Sequence, residues 1–591
     1  MSENIEDLKA QLAAAEAAAK AAEAEAARAK AEALRLQLEA QGSSAADAAA
    51  PASSPAPSGE LSAFATQIQG AYSWDVPAVT IGTLIDGGAR VPGVSAKMPL
   101  PMFNRHILVA GATGTGKTRT LQLLAEGLSA NGSSVLLCDV KGDLTGLAEA
   151  GTSSDKLLSR TTANGQDWAS SSFPIELLSL GGADSQFPGV PVRAQISDFG
   201  PILLARALSL NTTQEQALQL IFAWADGQGL ELIDLPDLRA VISFLTSDEG
   251  KDELATIGGV SKATAGVILR ALTALESQGG GQFFGASGFD TADLMRMDST
   301  GRGIISLLGV GDISSRPALV SAVIMFLLAN LFSTLPEVGD VERPKLVFFF
   351  DEAHLLFKGA SKAFLDSITQ TVRLIRSKGV GVFFVTQTPK DVPEDVLAQL
   401  GSRVQHQLRA HTPNDAKALK ATVSTYPKSG YDLEEVLQGL GIGEAIVTVM
   451  NPKGSPTPVA WTRLWAPETS MQPTDAAAMQ QAVAASPLMA KYGQAIDRES
   501  AYEILTAKLE AGAKAAEEER QRAEAEKAEA ERRAQEEKEQ RQAERSEGRS
   551  SGSGRGRTSA VERIASRGIM QVIRTVTREI VRGLFGTGRR R

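Results

Sequence analysis

Residues 107–118 place an apolar run directly before a glycine-rich segment whose residue types suit a phosphate. Gly111, Gly116, Lys117 and Thr118 fit the spacing G-x-x-x-x-G-K-[ST]. Glycine permits positive φ and lets backbone N–H groups surround a phosphate, lysine reaches the β- and γ-phosphates, and the threonine hydroxyl is a ligand for Mg²⁺. We therefore expect a nucleotide to bind along this loop, at Gly111, Ala112, Thr113, Gly114, Thr115, Gly116, Lys117 and Thr118.

A second segment, residues 345–357, has the composition of the metal-binding half of such a site. An apolar run leads to Asp351, which we expect to bind Mg²⁺ together with Thr118. Glu352 follows, and we expect it to orient or deprotonate the water that attacks the γ-phosphate. Paired acidic residues also end strands simply as solvated groups. Their combination with a phosphate loop nevertheless predicts hydrolysis of ATP in addition to binding.

A third apolar run, residues 380–385, ends in Thr386 and Gln387. We expect Gln387 to sense the γ-phosphate or to hold the attacking water, although a strand end with internally satisfied polar groups is the alternative. In a ring-shaped ATPase, one arginine reaches the γ-phosphate of a neighbouring subunit. Arg376 and Arg403 are our candidates for this catalytic arginine, and the sequence does not choose between them. They belong to a group near this run that comprises Arg373, Arg376, Arg403 and Arg409.

Six apolar runs are predicted to form the sheet that positions these residues, namely 107–110, 135–140, 303–308, 346–350, 381–386 and 445–449. The runs are apolar on both faces and are separated by helical patterns. This arrangement predicts an α/β fold with a mostly parallel sheet that is covered on both sides. Asp139 and Asp143 follow the second run, at the carboxyl edge where ligands bind in such sheets.

The pattern along the chain divides it into a body with helical extensions at both ends. We expect an ATPase domain over 60–466, with a small β-rich lead-in at 60–106 and a helical insertion at about 145–300 that is too long and too patterned for a loop. The apolar run at 319–335 is predicted to be a buried helix. Flanking the body we predict an Ala/Glu-rich helix (1–41), a disordered linker (42–59), a connecting segment (467–498), a charged helix (499–546), a flexible linker (547–559) and a basic amphipathic helix (560–591). The first helix is either a solvated single helix or a weak coiled coil.

Composition narrows the class of protein. The single cysteine, Cys138, excludes an intrachain disulfide framework and is expected to be a buried thiol, and the four histidines form no zinc pattern. We expect a cytoplasmic protein because the sequence shows neither a signal peptide nor a membrane span. The net charge is −9, yet residues 549–591 hold eleven arginines and two acidic residues. This basic helix could dock on a neighbouring protein, lie on an anionic membrane or contact nucleic acid.

With these motifs the chain resembles the HerA/FtsK branch of ring-forming P-loop ATPases, and within it the bacterial HerA-like, YjgR-like family. The matching segments are 104–118, 139–144, 345–357, 379–388, 399–409 and the end from residue 580. The resemblance covers about 60–466 and the last thirty residues. It implies a RecA-like ATPase core, ATP and Mg²⁺ as cofactors, and a homo-oligomeric ring, a hexamer, that translocates or unwinds DNA.

Two other interpretations need consideration. The letters at 351–354 spell the DEAH box of superfamily-two helicases, but Lys117 and Asp351 stand 234 positions apart, which is much farther than in those helicases. We therefore expect His354 to begin a helix after the strand. The alternatives to a DNA motor are an ATPase that acts on protein or at a membrane surface, and a nucleotide-switched scaffold that is not coupled to DNA.

Overall fold

The computed structural model describes residues 61–180, 187–256, 258–277, 280–286, 288–310, 317–358, 360, 362–494 and 498–547. The predictions for 1–41, 42–59 and 560–591, and for the linker 547–559 beyond its first residue, lie outside the described residues. The strands are β1 (Ala78–Asp86), β2 (Ala89–Pro99), β3 (Ile107–Ala110), β4 (Ser134–Asp139), β5 (Ile175–Ser179), β6 (Val190–Pro191), β7 (Ile305–Gly309), β8 (Leu346–Phe350), β9 (Val380–Thr386), β10 (Ser402–Gln405), β11 (Glu444–Thr448) and β12 (Ala460–Leu464).

The helices cover much of the remaining chain. They are α1 (Ala63–Ala71), α2 (Lys117–Ala130), α3 (Asp155–Ala163), α4 (Ile196–Ala207), α5 (Thr212–Gly227), α6 (Leu235–Thr246), α7 (Lys251–Thr256), α8 (Lys262–Ser277), α9 (Pro317–Thr334), α10 (His354–Phe357), α11 (Lys362–Ile375), α12 (Glu394–Leu397), α13 (Pro413–Val423), α14 (Leu433–Gly439), α15 (Ala476–Ala485), α16 (Pro487–Tyr492) and α17 (Ala501–Glu547). His354 begins a helix, as predicted. The apolar run at 319–335 is helical, and most of its described apolar side chains are buried.

The chain divides into two compact units. The first comprises the described residues of Met1–Leu177, Thr291–Gly311 and Leu328–Ala482, and the second those of Leu178–Asp290, Asp312–Leu327 and Val483–Arg591. Residues 145–177, which the sequence assigns to the helical insertion, belong to the first unit and include α3. β5, α9 and α15 pass from one unit to the other.

The first unit is built around a sheet with the strand order β2-β1-β12-β11-β10-β3-β9-β8-β4-β7. The six strands from β10 to β7 are parallel to one another. The four strands from β2 to β11 continue the sheet in antiparallel pairs. This architecture confirms the predicted α/β fold with a mostly parallel sheet at its centre.

The central strands are held by apolar packing on both faces. Every residue of β3, β4, β7, β8 and β9 is buried. Aromatic contacts link neighbouring strands: the centroids of Phe349 and Phe383 lie 4.4 Å apart in a tilted pair, and those of Phe350 and Phe384 lie 5.6 Å apart in a stacked pair. Side chains of this size bury enough apolar surface to fix the strands firmly. The polar residues that follow β8 and β9 are therefore carried at defined positions.

The second unit is mainly helical, with the short parallel pair β5 and β6. Capping boxes at Asn211 and Asp234 begin α5 and α6. The start of α17 is fastened to α6, because Asp237 accepts hydrogen bonds from Ser500 Oγ and Tyr502 N. Farther along, residues 513–542 of α17 are exposed and carry i,i+4 ion pairs such as Glu529 with Arg533. No helix among the described residues is long and apolar enough to cross a membrane.

Candidate active site

The phosphate loop lies between the ends of three parallel strands. β3 ends at Ala110 and α2 begins at Lys117, so residues 111–116 form the loop between them. Gly111 N donates to the carbonyl of Thr386 at 3.1 Å, and Ala112 N donates to the carbonyl of Gln407 at 2.9 Å. The loop is thus anchored to the chain that leaves β9 on one side and β10 on the other.

Glycine is required in this loop for two reasons. Gly114 and Gly116 have φ values of 81° and 112°, which side chains other than hydrogen rarely permit. A Cβ atom at Gly111 would lie 2.4 Å from Cβ of His406. His406 is fully buried, its Nε2 lies 2.9 Å from Thr120 Oγ1, and burial together with the nearby Lys117 charge lowers its pKa to about 4. A neutral histidine therefore packs the loop against α2.

Lys117 and Thr118 open α2 beside the acidic residues. Lys117 Nζ donates to the carbonyl of Gly111 at 2.6 Å, so its charge is held at the loop itself. Burial lowers the pKa of Lys117, while Glu352 and Asp351 oppose that change. Thr118 Oγ1 lies 3.4 Å from Asp143 Oδ2. The loop, the start of α2 and the acidic groups consequently share one edge of the sheet.

Asp139 shapes the turn that follows β4. Its carboxylate accepts hydrogen bonds from Gly142 N at 2.7 Å, from Lys141 N at 3.0 Å and from Leu144 N at 3.1 Å. Burial raises the pKa of this carboxyl group. Because its oxygen atoms are used by the backbone, Asp139 acts here as a brace for the turn. That turn carries Lys141 and Asp143 to the site.

Asp351 and Glu352 follow β8 directly. Asp351 Oδ1 accepts a hydrogen bond from Glu352 N at 3.0 Å, and burial together with the Glu352 charge raises the pKa of Asp351 to about 6. Glu352 Oε1 accepts a hydrogen bond from Lys141 Nζ at 3.0 Å, and His354 Nδ1 lies 3.3 Å from Oε2. Burial favours the neutral carboxyl group, but the charges of Lys141, His354 and Lys117 lower the pKa of Glu352. Glu352 is thus an ionised and nearly buried carboxylate.

The backbone at Glu352 is strained. Its φ is +52°, and among the described residues only His106 and Ser209 are other non-glycine residues with positive φ. This conformation costs of order 1–2 kcal/mol for an L-residue. The surrounding structure maintains it, since Ala353 N donates to the carbonyl of Val385 at 2.8 Å. Strain of this kind concentrates at functional sites, and here it directs the carboxylate toward Lys141.

Gln387 also reaches the loop. It lines a cavity of about 280 Å³ together with Ala112, Thr113, Lys390 and Arg409. The preceding residue, Thr386, has its hydroxyl satisfied by Asp391 Oδ2 at 2.8 Å. Arg409 belongs to the group of four arginines near this strand in the sequence, but it is not one of the two predicted catalytic arginines. Lys141 and Lys390 were not identified as site residues, although their positions just after strand ends were a usable signal.

The two arginines selected from the sequence lie elsewhere. Arg376 lies four residues before the start of β9, at the end of that strand opposite to Thr386 and the loop. Burial and the neighbouring Arg105 charge lower the pKa of Arg376. Arg403 lies within β10, donates a hydrogen bond to Thr425 Oγ1 and covers the ring of Tyr426 at 5.4 Å. Arg403 therefore contacts residues of its own chain, and Gln387 is the polar residue at the end of β9 that lies beside the loop.

Comparison with known proteins identifies the family. Residues 88–591 match the family model described as "Helicase HerA-like C-terminal". The DNA double-strand break repair helicase HerA of Saccharolobus solfataricus is 24% identical over 387 residues, which cover 64% of this chain and 68% of that protein. The unbound bacterial conjugative coupling protein TrwB aligns with a TM-score of 0.44 and 16% identity over 69% of this chain and 94% of that chain. VirB4 of Thermoanaerobacter pseudethanolicus aligns with a TM-score of 0.42 and 14% identity over 66% of this chain and 97% of that chain. Because the family model spans most of its length, this chain belongs to the helicase HerA-like family of P-loop ATPases.

Proposed function

We propose that this chain is an ATP-hydrolysing motor that assembles as a homo-oligomeric ring, a hexamer, and translocates or unwinds DNA. The observation that supports hydrolysis best is the ionised Glu352, which Lys141 holds at the same edge of the sheet as the loop lysine, Lys117. Binding alone needs only the loop, whereas a buried carboxylate in this position suits the activation of water.

The phosphates of ATP would bind the loop through its N–H groups, with the N-terminus of α2 and the Lys117 charge opposing their negative charge. The donor set also fits Mg²⁺, which typically takes one or two protein oxygen ligands together with phosphate oxygens and water. Thr118 and Asp351 supply such ligands, and Asp143 lies 3.4 Å from the Thr118 hydroxyl. Among the described residues no cluster of three acidic, histidine or cysteine side chains could hold a metal alone. This agrees with a cation that binds together with the nucleotide.

Hydrolysis needs a base for the attacking water. Glu352 Oε2 is buried and has His354 Nδ1 3.3 Å away but accepts no hydrogen bond from it, so this oxygen could accept the proton of a water molecule. Gln387 would hold that water from the neighbouring strand, and Arg409 in the same cavity would offset charge on the γ-phosphate. General-base catalysis of this kind contributes about 10²–10⁴-fold.

The ring is proposed because Arg376 and Arg403, the two predicted catalytic arginines, do not line the cavity beside the loop as Arg409 does, and they could act there from an adjacent subunit. Arg376 lies at the end of β9 opposite to the loop, so it is the Arg376 of an adjacent subunit that could reach the γ-phosphate in trans. Arg403 is the second candidate. An arginine supplied in trans contributes about 10³–10⁵-fold in related P-loop enzymes. DNA is proposed as the polymer because the matched relative is named a DNA repair helicase.

The test is phosphate release by the full chain with and without single- and double-stranded DNA. Turnover should require Mg²⁺ and rise when DNA is added, and displacement of a third strand from a triplex would report translocation. A rate of phosphate release that neither form of DNA changes contradicts the DNA assignment. A rate that rises instead with anionic vesicles favours action at a membrane. Glu352→Gln should abolish turnover, with Glu394→Gln as the control on an exposed acidic residue. Unchanged turnover in Glu352→Gln contradicts the assignment of the base.

A further inference from the structure

The turn at 441–443, which leads into β11, lies directly beside the phosphate loop. Gly443 N donates to the carbonyl of Thr115 at 3.0 Å. A Cβ atom at Gly116 would approach Gly443 Cα to 3.6 Å. Ile442, at the centre of this turn, is 73% exposed, which is the highest value among the exposed large hydrophobic side chains that the structure describes. The loop therefore has an apolar, solvent-facing neighbour.

Arginines surround the same turn. A Cβ atom at Gly443 would lie 3.0 Å from Arg160 Nη2, and Arg463 Nη1 donates to the carbonyl of Ile442 at 2.9 Å. The Nε atoms of both arginines are buried without a hydrogen-bond partner. Burial and the charges of Arg463 and Arg90 lower the pKa of Arg160.

One carboxylate opposes these cations. Glu444 Oε1 lies 3.4 Å from Arg463 Nη1. Glu444 Oε2 already accepts hydrogen bonds from Gly441 N and Trp461 Nε1. Glu444 thus pairs with Arg463, while Arg160 Nη2 lies beside Gly443, so the Arg160 guanidinium can bind an additional anion.

The order of the strands gives a bound nucleotide its direction. Asp351 and Glu352, which would face the γ-phosphate, follow β8, and β9 lies between β8 and β3. On the other side of β3 come β10 and then β11, which begins just after the turn. Adjacent strands lie about 4.8 Å apart, so the distance from β8 to β11 is roughly 19 Å. A nucleoside triphosphate that lies along this edge with its γ-phosphate toward β8 extends its ribose and base toward β10 and β11.

We propose that the 441–443 turn and Arg160 form the nucleoside end of the binding site. Ile442 packs against the face of the base, and the Arg160 guanidinium faces the phosphate nearest the ribose. This inference rests on the proposed function, because it requires a nucleoside triphosphate on the loop at 111–118. No sequence pattern indicates this contact, since Ile442 lies more than three hundred positions beyond that loop.

The test separates the base from the phosphates by comparing ATP with inorganic tripolyphosphate. Both compete with a fluorescent ATP analogue for the full chain in the presence of Mg²⁺. Ile442→Ala should weaken ATP about tenfold, the loss expected for uncovering a few apolar groups, and should leave tripolyphosphate unchanged. Arg160→Gln should weaken both ligands about tenfold, because a charge-assisted hydrogen bond to phosphate is lost.

Met297→Ala is the matched control, because Met297 is also an exposed apolar residue (52%) but lies beside the start of β7, away from the loop. Unchanged ATP affinity in Ile442→Ala, or an equal loss for ATP and tripolyphosphate, overturns the base contact. Unchanged affinities in Arg160→Gln overturn the phosphate contact. If the wild-type chain binds neither ligand, or if Lys117→Ala leaves both affinities unaltered, the proposed function itself fails. That outcome is distinct from a defect confined to Ile442.

Discussion

Replacing Lys141 by methionine should slow ATP hydrolysis at acidic pH and leave it unchanged at alkaline pH. Lys141 Nζ lies 3.0 Å from Glu352 Oε1. Two unit charges at this separation attract one another by about 1.4 kcal/mol in water and by about 5.5 kcal/mol at an effective dielectric constant of about 20. The Lys141 side chain is 53% exposed, so solvent screening favours the lower figure. An energy of about 1.4 kcal/mol is a factor of about ten in the ratio of ionised to neutral Glu352.

The direction of the pH effect follows from the charge. Removing the Lys141 cation raises the pKa of Glu352, so a larger fraction of this carboxyl group is protonated at a given acidic pH. A protonated base cannot accept a proton from water, and the deficit in rate should therefore grow toward about tenfold as the pH falls. At alkaline pH Glu352 is ionised in both proteins, and the two rates should converge.

The assay is the initial rate of phosphate release at saturating ATP across this pH range. Lys141→Arg retains the charge and should behave like the wild type, and Lys453→Met removes an exposed lysine from a distant turn as the control. A deficit of equal size at every pH would refute the reasoning, because it would place Lys141 on the substrate and not on the base. Rates equal to wild type at every pH would show that the ion pair has no part in hydrolysis.

Three further outcomes are expected. Asp351 must be ionised to bind Mg²⁺ and its pKa is raised to about 6, so the affinity for Mg²⁺–ATP, measured by equilibrium titration, should fall below that pH, and Mg²⁺-free ATP should not follow it. Gly111→Ala should abolish ATP binding in the same titration while circular dichroism stays unchanged, because the new Cβ would lie 2.4 Å from His406 Cβ. Glu126 accepts hydrogen bonds from Glu468 N, Thr469 N and Thr469 Oγ1. Glu126→Ala should therefore lower the free energy of unfolding, measured by urea denaturation, by about 2–4 kcal/mol. Burial raises the pKa of Glu126 to about 7, so this part of the stability should be present at acidic pH and decrease as the pH rises to about 7, a dependence that Glu126→Gln removes.

The sequence predicts the centre of the fold well because the central strands are apolar on both faces. The predicted runs at 107–110 and 346–350 coincide with β3 and β8, and four others differ from their strands by one or two residues at either end. The alternating strand β12 and the two-residue strand β6 were not predicted from the sequence, since neither is a continuous apolar run. Helix α1 was missed because nine residues within a predicted β-rich lead-in give only a weak helical period.

The site was predictable where chemistry is concentrated in short motifs. Gln387 does line a cavity with the loop, and Asp351 and Glu352 do follow one buried strand. Contacts made over long sequence separations could not be found, because nothing in the sequence near Lys141 indicates that it meets a carboxylate more than two hundred positions away. The sequence also could not predict that Asp139 stabilises the turn, since it does not distinguish a carboxylate that accepts hydrogen bonds from backbone N–H groups from one that binds a ligand.

The most direct test of the central claim, that Glu352 converts nucleotide binding into hydrolysis, is a paired measurement on the wild-type chain and Glu352→Gln. Equilibrium binding of Mg²⁺–ATP and the rate of phosphate release are measured on the same preparations. The account predicts that the variant binds ATP at least as tightly as the wild type and releases phosphate more than about a hundredfold more slowly. A variant that hydrolyses ATP at the wild-type rate would contradict the claim, and so would a wild-type chain that binds ATP without turning it over.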